Sequence, residues 1–122
     1  MEISRLLDES DWIEGYEIQE YRRWSDGFYR KIKIIFVDKS VLFVREYVDA
    51  SERNYSFHWQ SEEGTMLARW DNAPHHKHLA TFPHHKHIDS EKIVESGAIS
   101  LKEVLEFIYR TAFRNEDRFL DD

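Results

Sequence analysis

Polar and apolar residues alternate through much of the first half of the chain. Because successive side chains of a strand point to opposite faces of a sheet, this alternation predicts half-buried strands. Short turns separate the alternating segments, and Gly64 is expected to supply the positive φ that a hairpin loop requires. Strands joined in sequence by short turns favour an antiparallel meander. The five predicted strands are residues 16–24, 28–38, 41–49, 54–61 and 65–71.

Helical spacing replaces this alternation at the two ends of the chain. Residues 2–8 predict a short N-terminal helix. Near the C-terminus, Ser100 and Glu103 have the spacing of a capping box, which starts a second helix. Apolar residues then recur at helical spacing, and they are Leu101, Val104, Leu105, Ile108 and Ala112. We therefore expect one α+β domain over residues 1–122, in which the C-terminal helix covers one face of the sheet and the other face is free.

The last two predicted strands divide their residues most clearly between two faces. The aromatic and apolar face is expected to form the core and contains Tyr55, Phe57, Trp59, Met66, Ala68 and Trp70. The opposite face contains His58, Gln60, Arg69 and Asp71. These four side chains can donate or accept protons or hydrogen bonds, but the same pattern is also that of an ordinary solvated sheet face.

A histidine-rich stretch follows the fifth predicted strand. Six of the seven histidines lie between His75 and His87, and the block Pro-His-His-Lys-His occurs twice, from Pro74 and from Pro83. Histidine gains and loses protons near neutral pH, so a cluster of histidines suits acid–base chemistry, metal binding or contact with an anion. A loop without a function is the alternative, since loops carry sites but also tolerate sequence change.

Charge and composition narrow the classes of function. The 122 residues carry a net charge of −7 and no cysteine, which excludes disulfides, thiolate catalysis and cysteine-ligated zinc. The sequence has neither a signal peptide nor an apolar run that could span a membrane, so we expect a cytoplasmic protein. The negative charge argues against general DNA coating, and any nucleic-acid contact must be local. The basic residues available for it are Arg69, Lys77 and Lys86, with Arg22, Arg23, Arg30, Lys31 and Lys33 on strands expected nearby.

RNA cleavage by histidine acid–base chemistry is the leading hypothesis. One histidine would take the proton of the 2′-hydroxyl, a second would protonate the leaving 5′-oxygen, and a basic side chain would neutralise the charge on phosphorus without any metal. The candidate catalytic residues are His58, His76, His84, His85 and His87. The candidate substrate-binding residues are Arg69, Trp70, Asp71, Lys77 and Lys86.

Two alternatives remain open, and both lack RNA turnover. In the first, His76 with His78, or His85 with His87, would bind zinc, nickel or manganese, with Asp71 or Asp89 completing the site. In the second, the stretch would be a binding surface on which Trp70, Phe82 and the histidine rings stack on bases or on a protein partner.

Three segments resemble a known family. They are Tyr-Ser-Phe-His-Trp-Gln from Tyr55, Arg-Trp-Asp-Asn-Ala-Pro-His-His from Arg69, and Thr-Phe-Pro-His-His-Lys-His from Thr81. Together they are similar to the TumE family, the toxins of prokaryotic type II toxin–antitoxin pairs, and the resemblance extends over roughly residues 16–108. It implies a small cytoplasmic toxin that inhibits growth as a ribonuclease and is held inactive by a cognate antitoxin protein. Whether the toxin also forms a homodimer stays open.

Overall fold

The described part of the protein contains an antiparallel sheet of seven strands, arranged in the order of the chain, and two helices. The computed structural model describes residues 2–72, 85–88, 92–95 and 98–114. The strands are β1 Ile13–Trp24, β2 Gly27–Phe36, β3 Val41–Val48, β4 Arg53–Gln60, β5 Met66–Asp71, β6 His85–Ile88 and β7 Lys92–Glu95. The five predicted strands and the meander are confirmed as β1 to β5, with small differences at their ends. The short strands β6 and β7 extend the sheet beyond the prediction.

One face of the sheet forms the hydrophobic core. Tyr55, Phe57 and Trp59 of β4 are buried, as are Ala68 and Trp70 of β5, which confirms the predicted core face of these two strands. The same face of β2 and β3 is also apolar and buried; its residues are Ile32, Ile34, Phe36, Leu42 and Val44. Gly64 has a φ of 91°, as the hairpin between β4 and β5 requires.

The two helices pack on this core face. Helix α1 spans Glu2–Glu9, and helix α2 spans Leu101–Ile108 and continues as a π-helical turn over Tyr109–Phe113. The Ser100 hydroxyl accepts a hydrogen bond from the backbone N–H of Glu103, whose carboxylate accepts one from the backbone N–H of Ser100, so the predicted capping box is confirmed. Phe107 packs edge-on against Trp70, with ring centroids 5.2 Å apart.

A buried carboxylate joins three parts of the core face. Glu46 of β3 accepts hydrogen bonds from the guanidinium groups of Arg30 on β2 and Arg53 on β4, with shortest distances of 2.7 and 2.8 Å. Arg53 also donates to the carbonyl oxygen of Ile99, 2.7 Å away, just before α2 begins. Glu46, Arg30 and Arg53 form a buried triad, and its bond to Ile99 ties the segment before α2 to the strands. Arg30, predicted near the candidate site, is therefore on the opposite face from it.

No helix within residues 2–72, 85–88, 92–95 and 98–114 covers the second face of the sheet. In the same described part, no helix is long and apolar enough to cross a membrane. The second face of β2 to β5 is consequently the surface on which the predicted polar residues lie.

Candidate functional site

Strand register assembles the polar face into rungs, each made of directly paired residues on neighbouring strands. Paired residues of an antiparallel sheet share a face, and successive rungs on one face are two residues apart along each strand. The His58 rung consists of Lys33, Phe43, His58 and Arg69 on β2 to β5. The next rung, the Ser56 rung, consists of Lys31, Arg45, Ser56 and Asp71 on the same four strands.

His58 is held through both ring nitrogens. Its Nδ1 lies 3.3 Å from Nη1 of Arg69, and its Nε2 lies 3.1 Å from Oε1 of Gln60. A guanidinium can only donate hydrogen bonds, so Nδ1 must accept and carry no proton. The proton of the neutral ring is therefore on Nε2, which donates to Gln60. This tautomer leaves the lone pair of His58 on the side of the ring that faces Arg69.

The surroundings of His58 favour its neutral form. Partial burial of the ring and the positive charge of Arg69 lower the pKa of His58 below its usual value of 6.5, while the hydrogen bond to Gln60 acts in the opposite direction. A neutral histidine near pH 7 can accept a proton, as a general base must. The Phe43 ring, with its centroid 6.4 Å from that of His58, contributes to the partly apolar setting.

Asp71 anchors Arg69 beside His58. Nε of Arg69 donates to Oδ2 of Asp71 at 3.1 Å, and Asp71 is only 4% exposed. Because Nε is held while Nη1 reaches His58, the guanidinium is positioned from two directions. Because the guanidinium is planar, these two contacts also fix the orientation of Nη2, whose N–H groups can donate to a phosphate.

A groove of about 370 Å³ opens between the two rungs. His58, Arg69, Ser56, Phe43, Arg45 and Lys31 line it, together with Gln19, Ile32 and Val44. Within the described part of the chain, Lys31, Lys33 and Arg45 form no ion pair, although Glu20 and Glu17 on β1 are paired in register with Lys31 and Lys33. Among the described residues, no carboxylate lines the groove itself. The groove is thus locally positive in a chain with a net charge of −7, and it offers cations and a proton acceptor to an anionic ligand.

The predicted histidine-rich stretch is described only in part. His76, His84 and Lys77 lie outside the described residues, and so do His78, Phe82 and Asp89. The backbone of β6 pairs His87 with Arg69 and His85 with Asp71. These pairings put positions 85 and 87 at the ends of the Ser56 and His58 rungs, next to the predicted strand residues.

Two predicted substrate-binding residues lie away from the groove. Trp70 is 1% exposed and belongs to the core, so its ring is not available to stack on a base. Lys86 pairs with Trp70 in the register, and its Nζ lies 5.2 Å from the centroid of the Trp70 ring and 3.7 Å from that of Phe107. Burial lowers the pKa of Lys86. Both side chains therefore stabilise the contact between β5, β6 and α2 and do not join Arg69.

Metal binding stays a prediction. Among the side chains that the structure describes, no group of three or more histidine, aspartate or glutamate residues could hold a metal ion. The ligands proposed from the sequence are mainly in the histidine-rich stretch, of which this search covers little. His58, the histidine whose contacts are described, is bonded to Arg69 and Gln60 and not to carboxylates.

The groove residues of β3 and β4 that lie on the polar face, other than His58, were missing from the predicted site. Phe43 and Arg45 on β3 and Ser56 on β4 lie on the same face as His58 through direct register pairs. The sequence of β3, VLFVREYV, mixes apolar and charged residues without strict alternation, so it does not say which face of β3 matches which face of β4. The register between these strands, which sequence spacing alone does not give, was the missing information.

Comparison with known proteins identifies the family of the chain. Searches of curated protein sequences and of solved structures found no match. A family model described as Toxin TumE matches residues 3–112, which includes all seven described strands, α2, all of α1 but its first residue, and all of the π-helical turn but its last. The match covers nearly the whole chain and confirms the family suggested by the sequence segments around His58, Arg69 and His85. The chain belongs to the TumE family of toxins.

Proposed function

We propose that this toxin cleaves RNA and that His58 is its general base. The observation that carries the proposal is the contact between Nδ1 of His58 and the guanidinium of Arg69, inside a groove lined by Lys31 and Arg45. Partial burial and Arg69 lower the pKa of His58, which favours a ring that can accept a proton. A proton acceptor beside fixed cations is the arrangement needed to activate a hydroxyl next to a phosphate.

The proposed reaction is transfer within the RNA backbone. Nδ1 of His58 takes the proton of a 2′-hydroxyl, and the 2′-oxygen forms a bond to the adjacent phosphorus. The bond from phosphorus to the 5′-oxygen breaks, and a general acid gives that oxygen a proton. The products are a 2′,3′-cyclic phosphate and a free 5′-hydroxyl, so neither an oxidant nor a co-reactant is consumed.

Arg69 is proposed to change partners during this reaction. Its hydrogen bond to His58 is long, at 3.3 Å, whereas its Nε is anchored by the buried carboxylate of Asp71. An incoming 2′-hydroxyl can therefore replace Nη1 at His58 while Arg69 stays in place. The released N–H groups would then bind the phosphate oxygens, where negative charge develops.

The general acid is proposed to come from the histidine-rich stretch. Positions 85 and 87 are the favoured ones, because the register of β6 places them opposite Asp71 and Arg69. His84 and His76 remain predicted candidates. Lys77 remains a predicted phosphate-binding residue, while Arg45 and Lys31 are added to that role because they line the groove.

A cognate antitoxin is the protein partner that family membership implies. We propose that it carries a basic surface, because a toxin with a net charge of −7 attracts a positive partner and charge complementarity mainly sets specificity and association rate. Binding between the purified toxin and the product of the neighbouring gene tests this part. No measurable affinity at low salt would contradict it.

A toxin that binds RNA without cleaving it is the second candidate. It is favoured by one observation, namely that both ring nitrogens of His58 already have partners. A histidine used only for binding needs no free lone pair. The two candidates differ in whether cleaved product appears.

The experiment is cleavage of a defined RNA by purified protein, with and without a chelator. We expect cleavage to continue in the presence of the chelator, and its rate to fall by about 10²-fold or more in folded His58→Ala. His85→Ala tests the proposed general acid. His75→Ala is the matched control, since His75 has no proposed role, and we expect it to cleave normally. Cleavage that stops with chelator and falls in His78→Ala would contradict the metal-independent chemistry and indicate a metal-dependent ribonuclease. Unchanged cleavage by His58→Ala would contradict the proposal.

A further inference from the structure

The polar face of the sheet continues past the groove into a group of aromatic rings. Register pairs Arg22 with Tyr29 and Tyr29 with Tyr47, which makes a third rung, the tyrosine rung, next to the Ser56 rung. The spacing of residues along a strand puts neighbouring rungs about 7 Å apart. Trp24 lies beside this rung, and a second concavity of about 510 Å³ is lined by the three aromatic residues with Arg22 and Glu20.

These rings are not part of the core. Trp24, Tyr29 and Tyr47 are each half-buried, on the face that the described helices do not cover. The rings of Trp24 and Tyr47 are 5.5 Å apart at an interplanar angle of 38°. The Tyr47 hydroxyl donates to Oδ2 of Asp49 at 2.7 Å, and this bond limits rotation of the ring. Ring faces that are fixed and accessible to solvent suit stacking with a planar ligand.

Positive charge connects the tyrosine rung to the groove. Lys31 and Arg45 of the Ser56 rung lie between the tyrosine rung and His58, and neither has an ion-pair partner among the described residues. On the same surface Glu20 pairs with Arg22 and Asp71 pairs with Arg69. The aromatic end also carries negative charge, since the hydrogen bond to Asp49 and the charges of Asp49, Glu52 and Asp26 raise the pKa of the Tyr47 hydroxyl. The surface thus presents aromatic rings, then cations, then His58. This order is that of a track for a single nucleic-acid strand.

We propose that Tyr29, Tyr47 and Trp24 form a base-stacking platform that holds single-stranded RNA and leads it to the groove at His58. Base faces are accessible for stacking in a single strand but not within a duplex, so the platform selects unpaired RNA. Lys31 and Arg45 then contact the phosphates between the stacked bases and the cleavage position. The direction toward His58 rests on the proposed ribonuclease function, whereas stacking itself does not.

The test is binding of a fluorescently labelled 2′-O-methyl RNA, which cannot be cleaved through its 2′-oxygen, measured by anisotropy. The single strand is compared with the same strand annealed to its complement. Tyr47→Leu removes the ring, and Tyr47→Phe is the matched control because it keeps the ring and loses only the bond to Asp49. We expect Tyr47→Leu to bind the single strand about tenfold more weakly than the wild-type protein does. Tyr47→Phe should bind the single strand as tightly as the wild-type protein. The wild-type protein should bind the duplex more weakly than the single strand.

Several outcomes would overturn the inference. These are equal affinity of Tyr47→Leu and Tyr47→Phe, equal affinity for single strand and duplex, or no RNA binding by the unchanged protein. If Tyr47→Leu does not fold, Tyr29→Leu beside Tyr29→Phe gives the same comparison. Loss of antitoxin binding with unchanged RNA binding in Tyr47→Leu would assign the surface to the antitoxin instead.

Failure of this inference is separable from failure of the proposed function. Stacking-dependent binding by a protein that cleaves no RNA would leave the platform intact and refute the ribonuclease. Cleavage with normal binding and normal rate in Tyr47→Leu would leave the ribonuclease intact and refute the platform.

Discussion

Replacing Glu46 with glutamine tests whether the buried triad holds the scaffold together. The substitution keeps the shape of the side chain but removes its negative charge. The guanidinium groups of Arg30 and Arg53 would then share a neutral side chain that does not offset their positive charges. Glu46 accepts four hydrogen bonds, two from Arg30 and two from Arg53. A glutamine offers one oxygen and two N–H donors, and the donors cannot pair with a guanidinium.

The size of the effect follows from how buried each partner is. Removing one member of a buried ion pair costs about 3–5 kcal/mol of unfolding free energy. The Glu46 side chain is 6% exposed, but those of Arg30 and Arg53 are 16% and 28% exposed, so water can partly solvate the arginines that remain. We therefore expect the lower end, about 3 kcal/mol. For a domain of this size, that loss lowers the melting temperature by about 10 °C.

Urea denaturation followed by circular dichroism measures this loss as a change in the free energy of unfolding. The matched control is Glu20→Gln, which removes the exposed pair with Arg22, whose side chains are 36% and 71% exposed. An exposed pair contributes less than about 1 kcal/mol. If Glu46→Gln loses no more stability than Glu20→Gln, the triad does not hold α2 against the sheet and the argument from burial is refuted.

Two further predictions concern the capping box and His58. Ser100→Ala should lower the free energy of unfolding by about 1 kcal/mol, because the cap satisfies the first N–H groups of α2; unchanged stability in denaturant would contradict this. NMR titration should give a pKa of His58 below 6.5, and Arg69→Gln should raise it, because a positive neighbour disfavours the charged ring. Because the pKa of His58 is lower in the folded chain than in the unfolded chain, the unfolded chain binds more protons below pH 6.5. The contribution of His58 to stability is therefore complete above pH 6.5 and is lost as the pH falls through the folded pKa. His58→Gln should remove this pH dependence.

The sequence predicted the parts of the fold that have a strong periodic signal. Alternation in β4 and β5 assigned both faces correctly, and spacing after Ser100 placed α2 on the aromatic face. The strands β6 and β7 were not predicted, because each has four residues, and His-Lys-His-Ile reads as polar when its partner strand is unknown. Such short strands form because β5 supplies a neighbour, which is a tertiary effect.

The candidate site was predicted less completely than the fold. His58, Arg69 and Asp71 were placed on one face by alternation, and the structure brings them into contact. Trp70 was predicted both as a core residue and as a ring that stacks on a base. Its burial agrees with the core position and leaves no ring face for stacking on RNA. Lys86 was grouped with Arg69 by charge and closeness in sequence, whereas the register pairs it with Trp70. Charge identifies a residue that can bind phosphate, but only the register shows which face it is on.

Identification of the RNA ends left by the purified toxin tests the central claim most directly. A defined single-stranded RNA is incubated in chelator with the unchanged protein and with folded His58→Ala, and the fragment ends are analysed by mass spectrometry. If His58 activates the 2′-hydroxyl, the unchanged protein leaves 2′,3′-cyclic phosphate and 5′-hydroxyl ends, and His58→Ala leaves almost none. Fragments with 3′-hydroxyl and 5′-phosphate ends, or the same cyclic ends at an unchanged rate from His58→Ala, would contradict the account.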